Sequence, residues 1–316
     1  MIRRNVSSRR EKIPETMGSG GFARLVGWMR LWFVVLSPRE NAFTLEVMPS
    51  YPGKHFLRNL VERRTLVARL VRRDFEQRYV GSAGGWVWGA IHPLVLLASY
   101  YFVFEVCIQM KLPPGEVTNN YLMYMFCGFL PWLLFQDTVI RSAGSMVEHS
   151  NLITKTVFPA EVVPVSIFLS SLIHHLIALG IVVACAAFFL KAVTAKILLL
   201  PIYMFFVGLL AVGVGWIVAS LHVYLRDTAQ VITVIMTLWF WATPIMITEK
   251  QIPARFHPLI ALNPMTWVVR AYRYRLLSAQ WPDWRDVAVL FGYSAAVFVI
   301  GGLFFRHLKR GFADVL

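Results

Sequence analysis

The sequence predicts an all-α membrane protein with six transmembrane helices, an amphipathic interface helix before the first span, and a re-entrant helix pair between the fifth and sixth. Three observations lead there. The chain is 57% hydrophobic and only 15% charged, where a soluble domain carries roughly a quarter charged residues. Six apolar stretches reach the length of about 20 residues that a helix needs to cross ~30 Å of hydrocarbon. The basic residues are concentrated, 16 of the 31 Lys and Arg preceding Trp86.

We divide the chain into a basic extension over 1–55, an interface helix over 56–80 and a membrane domain over 86–316. Residues 1–23 are rich in Arg, Ser and Gly. The run RLVGWMRLWFVVL at 24–36 is interrupted by Arg30 and is not followed by a small-residue cleavage site, so it makes a poor signal peptide. An interfacial helix and a merely apolar leader both fit it.

In FLRNLVERRTLVARLVRRDFEQRYVG, Leu57, Leu60, Val61, Val67, Leu70, Val71 and Phe75 share a face at helical spacing. Arginines 58, 63, 69, 72, 73 and 78 fill the rest. Such a helix lies in the headgroup plane, either as a surface anchor or as a lever that meets another subunit. Gly81, Gly85 and Gly89 follow at four-residue spacing, which permits close helix approach.

The spans are read as Trp86–Ile108, Tyr121–Ala143, Pro164–Leu190, Ile197–His222, Ala229–Thr248 and Asp286–Phe305, each helical because its backbone must satisfy itself in lipid. Ala211, Gly215 and Ala219 repeat the small-residue spacing in the fourth and fit internal packing or a dimer seam. A basic leader stays on the cytoplasmic side. With six crossings both termini are then cytoplasmic, and 22 of the 31 basic residues fall inside. Beside six spans an anionic lipid leaflet is a simpler partner for that charge than nucleic acid.

Two connections stand out. LITKTVFPAEVVP, residues 152–164, is charged and carries Pro159 and Pro164 between two apolar spans. The segment from Glu249 to Trp284 is cut by Pro253, Pro258 and Pro264 into pieces too short to cross. Asn263 before Pro264 reads as an N-cap followed by a first-turn proline, starting a helix to about Leu277 that groups Val269, Arg270 and Arg273 among Trp267, Tyr272 and Tyr274. Irregular backbone at membrane depth is tolerable only where protein or a wet cavity shields it, so a re-entrant pair at the outer face fits.

Motifs for chemistry are few. No G-x-x-x-x-G-K-[ST] phosphate loop is present, and Gly53-Lys54 lacks the surrounding pattern, so ATP hydrolysis by this chain is not expected. G-x-S-x-G and H-E-x-x-H are absent too. The cysteines Cys107, Cys127 and Cys185 sit in or beside apolar runs and suggest packing. His174 and His175 invite a metal, proton or hydrogen-bonding role within the third span. Adjacent helical residues point about 100° apart, so they cannot chelate one metal from a single face. Asp137 and Arg141, four apart, are expected to neutralise each other. Tyr100, Tyr101, Trp239, Phe240 and Trp241 fit either an interfacial aromatic belt or a stacking surface for sugar rings in a channel.

Taken in order, RDFEQRYVGSAGGWVWGAIHPL, CGFLPWLLF, NLITKTVFPAEVVPVS, YLRD and ALNPMTWVVRAYR resemble the membrane subunits of ABC-2 type exporters of polysaccharides or polysaccharide-lipid conjugates, such as O-antigen, teichoic acid and group 2 capsule permeases. The resemblance runs from about Leu66 to the C-terminus. It implies a homodimer around a channel for a lipid-linked glycan in the cytoplasmic (inner) membrane, driven by two copies of a separate ATPase subunit that holds the ATP and Mg. No cofactor or metal is expected on this chain. The resemblance further implies that Lys155, Phe158, Pro159, Glu161 and Pro164 form a coupling element against the ATPase. Arg73, Asp74, Arg78 and Tyr79 would end the bordering interface helix. Asn263, Pro264, Trp267, Arg270, Tyr272 and Arg273 would form an outer gate. Two other classes compete: an intramembrane lipid or sugar transferase, and a proton-coupled secondary transporter using the histidines.

Overall fold

The computed structural model describes residues 64–78, 87–155, 158–190, 195–278 and 280–316. Among them every regular element is helical. The basic extension over 1–55, Tyr79, Gly81 and Gly85 lie outside the described residues.

Helix α1 (Arg64–Gln77) is amphipathic as its spacing requires. Val67 and Leu70 are buried against Val162, with Leu66, Val71, Phe158 and Leu169 around them. Arg64, Arg69, Arg72 and Arg73 are exposed. Helix α2 (Trp88–Tyr101) contains Pro93 and runs on into a π-helical turn at Phe102–Cys107.

Helix α3 (Tyr121–Glu148) is 28 residues long, about 42 Å at 1.5 Å per residue, and forms the centre of the helix bundle. Its start is fixed by Asn120, whose side chain accepts from the Met123 amide at 3.0 Å, the N-cap geometry that satisfies one orphan donor. After the short α4 (Ser150–Lys155) the chain turns through Pro159 into α5 (Val162–Leu190). A 3-10 turn at Ala195–Leu199 leads to α6 (Leu200–Tyr224). Helix α7 (Thr228–Trp241) follows, then α8 (His257–Leu262), α9 (Pro264–Leu277), α10 (Trp284–Leu308) and a last turn, α11 (Phe312–Val315).

Among the described residues four helices are long and apolar enough to cross a membrane: Tyr121–Glu148, Val162–Phe188, Lys196–Tyr224 and Trp284–Gly311. The first and fifth predicted spans occur as shorter apolar helices, Pro93–Cys107 and Thr228–Trp241. The fifth differs from the sequence reading in a specific way, since its helix ends at Trp241 and not near Thr248. Pro244 follows, and the residues from Thr243 to Met246 are buried without being helical. Buried carbonyls outside a helix need other donors. Tyr121 Oη supplies one to Met246 O at 2.8 Å and Arg273 Nη2 one to Ile245 O at 2.6 Å.

The tightest helix crossing lies between α6 and α10. A Cβ on Gly213 would overlap the backbone at Val297 and Phe298, and one on Gly301 would overlap Gly213 itself. Neither glycine belongs to the small-residue series seen in the sequence. Ala211 and Ala219 are fully buried, and Gly215 abuts Ser142 of α3, so that series packs α6 within the helix bundle.

Two ends can be distinguished. The basic end gathers α1, the turn between α3 and α5, the start of α7 and the C-terminal residues; the opposite end gathers residues 109–120, 195–199, 242–278 and 280–283.

Candidate functional site

At the basic end, α1 is tied to the bundle by ions on its buried face. Asp74 and Arg78 follow Val67 and Leu70 along that face, so both reach inward. Arg78 Nη2 lies 2.7 Å from Asp137 Oδ2 on α3 and donates to Ser171 Oγ on α5 at 3.0 Å. Ser171 in turn donates to Asp137 at 2.5 Å. Arg141 pairs with Asp74. The expected Asp137–Arg141 pair is therefore the looser contact, at 3.9 Å, because α1 brings each residue a closer partner.

Beside this cluster stands the proposed coupling element. Lys155, on the last turn of α4, is exposed, as are Asn151 and Thr154. Phe158 is half-buried against Val67, Leu70 and Val162, while Pro159 and Pro164 are buried. Glu161 is half-buried, with Lys309 Nζ 2.6 Å from its Oε2, and its carbonyl accepts from Trp216 Nε1 at 3.0 Å. Tyr224 Oη donates to Leu308 O at 2.9 Å, and α11 packs on α4 with Phe312 only 1% exposed. The C-terminal turn thus braces the α3–α5 connection. Sequence reading missed the contact of Lys309. A lysine just past an apolar helix is common, and its spacing signals no partner.

A cleft of about 420 Å³ opens between α2, α3 and α7. Tyr100, Phe240 and Trp241 line it together with Trp132, Gln136 and Thr237. Tyr100 and Phe129 ring centres are 5.4 Å apart, Phe129 and Phe240 5.5 Å. Tyr101 is outside this lining. Trp239 turns into the core instead, edge-on to Phe135 at 5.1 Å, and donates to Asn263 Oδ1 at 2.8 Å. A cleft of this composition offers ring faces for stacking and a few polar groups for hydroxyls.

At the opposite end, Asn263 caps α9 as the sequence predicts, accepting from Met265 N at 3.0 Å, and Pro264 takes the first position. Its amide also donates to Thr243 Oγ1 at 2.9 Å, joining α9 to the end of α7. Trp267 donates to Ala261 O at 2.8 Å, and the Arg270 guanidinium lies over its ring at 4.7 Å.

Arg270 grips Glu249 with two bonds, at 3.1 and 2.6 Å. Burial works against its charge, yet the hydrogen bond and charge of Glu249, with Asp286, outweigh it and raise the guanidinium above its ordinary value. Arg273 is 4% exposed and spends its donors on Tyr124 O, Tyr124 Oη and Ile245 O. Tyr272 is fully buried, its hydroxyl 3.1 Å from His175 Nε2. His174 Nδ1 donates to Ser170 O at 3.1 Å, and its ring lies 5.1 Å from that of Phe75. The histidines accordingly join helices to one another.

Long apolar helices around an aromatic cleft, with a basic amphipathic helix and a braced loop at one end, define a multi-pass membrane protein. Residues 65–277 match the ABC-2 type transporter family, and the chain belongs to it. It is 26% identical over 260 residues to the O-antigen export system permease protein RfbA of Myxococcus xanthus, covering 82% of this chain and 98% of that one. Two Klebsiella pneumoniae proteins of the same name are 24% and 25% identical, each covering 79% of this chain and 95% of its own length.

Proposed function

We propose that this chain is the permease subunit of an ATP-driven exporter that moves a lipid-linked polysaccharide, of O-antigen or capsule type, across the cytoplasmic membrane. The relatives' role in O-antigen export supports the substrate class. Two permease chains enclose the channel, each contributing the aromatic cleft between α2, α3 and α7. Two copies of an ATPase subunit dock at the basic end, where ATP and Mg act.

The observation that carries this reading is the braced α4 turn. Its exposed face, Asn151, Thr154 and Lys155, is free to meet a partner, while Phe158 is wedged against α1 and Glu161 is held by Lys309. A push on α4 is therefore delivered to α1, α5 and α10 together. Six crossings follow if α2 with its π-helical turn and α7 with its capped extension each complete a span. The arginines of α1 then lie on the cytoplasmic side with both termini, and α8 with α9 forms the re-entrant outer gate. A ligand or partner moves such a gate only by preferring one of its two states.

The test is reconstitution in proteoliposomes with and without a copurifying ATPase. ATP-dependent movement of a lipid-linked glycan, lost with either component, is expected. Full transport without ATP and without any ATPase overturns the proposal. Deletion of the gene should leave the lipid-linked polymer inside the cell.

A further inference from the structure

A cavity of about 520 Å³ opens at the end opposite α1, walled by α9, the start of α10 and the turn around Gly115. Its lining differs from that of the aromatic cleft and comes from other helices. The volume is in the range of small-ligand pockets, about 300–1,000 Å³. Trp267, Tyr274 and Trp281 line it, and Trp281 is 73% exposed, with Lys196 Nζ over one face of its ring at 4.8 Å and the other face left for a ligand.

Its cations are not equivalent. Arg270 is committed to Glu249 and Asp286, Lys250 to Glu116 and to the carbonyls of Pro114 and Gly115, and all three nitrogens of Arg273 are bonded. Arg275 is 2% exposed. It donates from Nη1 to Gln280 O at 2.9 Å, its Nε has no partner, and among the described residues no carboxylate pairs with it. A buried guanidinium left so short of acceptors is costly, and an anionic group entering the cavity would satisfy it. Aromatic faces next to that group suit a pyranose ring, whose C–H face packs on indole while its hydroxyls meet the polar rim.

We propose that this cavity is a binding site for a sugar residue carrying an anionic substituent, carboxylate or phosphate, with Arg275 taking the anion and Trp281 the ring. The site rests on the exporter reading only for facing the cell exterior, where it would hold the emerging glycan.

The experiment titrates the full-length protein in nanodiscs, without ATP or ATPase, by saturation-transfer NMR with glucuronate, glucose 6-phosphate and glucose, and with inorganic phosphate as competitor. Saturable binding of glucuronate or glucose 6-phosphate is expected, with glucose roughly tenfold or more weaker. Whichever anionic sugar binds more tightly identifies the substituent. Trp281→Ala, at an exposed position, and Arg275→Gln should each weaken binding by about tenfold. No binding by either anionic sugar, glucose equal to them, phosphate competing as well as glucose 6-phosphate, or wild-type binding by Trp281→Ala would each overturn the site. Because export is not part of the readout, failure here leaves the exporter reading standing.

Discussion

Lys309, just beyond the last long helix, places its ammonium 2.6 Å from the carboxylate of Glu161 in the turn before α5. Residues 148 positions apart are thus joined at the end where the ATPase is proposed to dock. Both side chains keep partial solvent contact, so the pair is worth about 1 kcal/mol or less. Its importance is positional. Glu161→Gln and Lys309→Gln should each reduce glycan export per ATP hydrolysed severalfold while the protein inserts normally. The charge-reversed double variant should recover part of the loss. Coupling ratios in proteoliposomes check this, and equal ratios in wild type and both single variants refute it.

The neighbouring residues separate docking from bracing. Lys155 is exposed, so Lys155→Ala is expected to weaken ATPase binding in copurification with no change in thermal stability. Phe158 packs on Val67, Leu70 and Val162, and Phe158→Ala should loosen α1 and cost about 2 kcal/mol, below the ~3–5 of a fully buried phenylalanine. Thermal unfolding in detergent together with affinity capture distinguishes the two outcomes.

Arg273 donates to the carbonyls of Tyr124 and Ile245 and to the Tyr124 hydroxyl, and its guanidinium lies 3.6 Å from that ring centre. Arg273→Met leaves the buried Ile245 carbonyl, just beyond α7, without its donor and removes the bonds to the Tyr124 carbonyl and hydroxyl. We expect a loss of about 3 kcal/mol, read as a lowered unfolding midpoint in detergent. Arg273→Lys should recover only part of it, because an ammonium cannot reproduce the guanidinium fork.

Gly301 and Gly213 let α6 and α10 meet backbone to backbone. Gly301→Ala is expected to destabilise by ~1–3 kcal/mol through overpacking. Gly292→Ala on the same helix, where an added Cβ meets nothing within 4 Å, should be neutral or slightly stabilising. A similar effect at both positions would remove the argument for a close crossing.

Much of the fold was legible because its signals are local. The face of α1 followed from helical spacing, the start of α9 from Asn263 and Pro264, and the four long spans from unbroken apolar length. The end of α7 was not legible, since the apolar run continues through Ile247. The helix stops early because Arg273 and Tyr121, distant in sequence, supply donors for its released carbonyls. The Asp137–Arg141 pair is present but is the looser contact, and spacing within one helix cannot register the closer partners Arg78 and Asp74 arriving on another. Trp239 and Trp241 look alike in sequence, yet one turns into the core and the other borders the cleft.

Taken alone, the sequence determined that this is a helical membrane protein with a basic amphipathic helix, a proline-bent charged loop and a broken segment before its last span. These features depend on length, periodicity and backbone chemistry, all of which act within a few turns. Only the tertiary structure decided which charges pair, which aromatics line the cleft, that Lys309 braces Glu161, and that Arg275 stands in a cavity with bonds to spare. Those outcomes depend on distance in space, and a side chain in a low-dielectric interior takes whichever partner folding brings nearest.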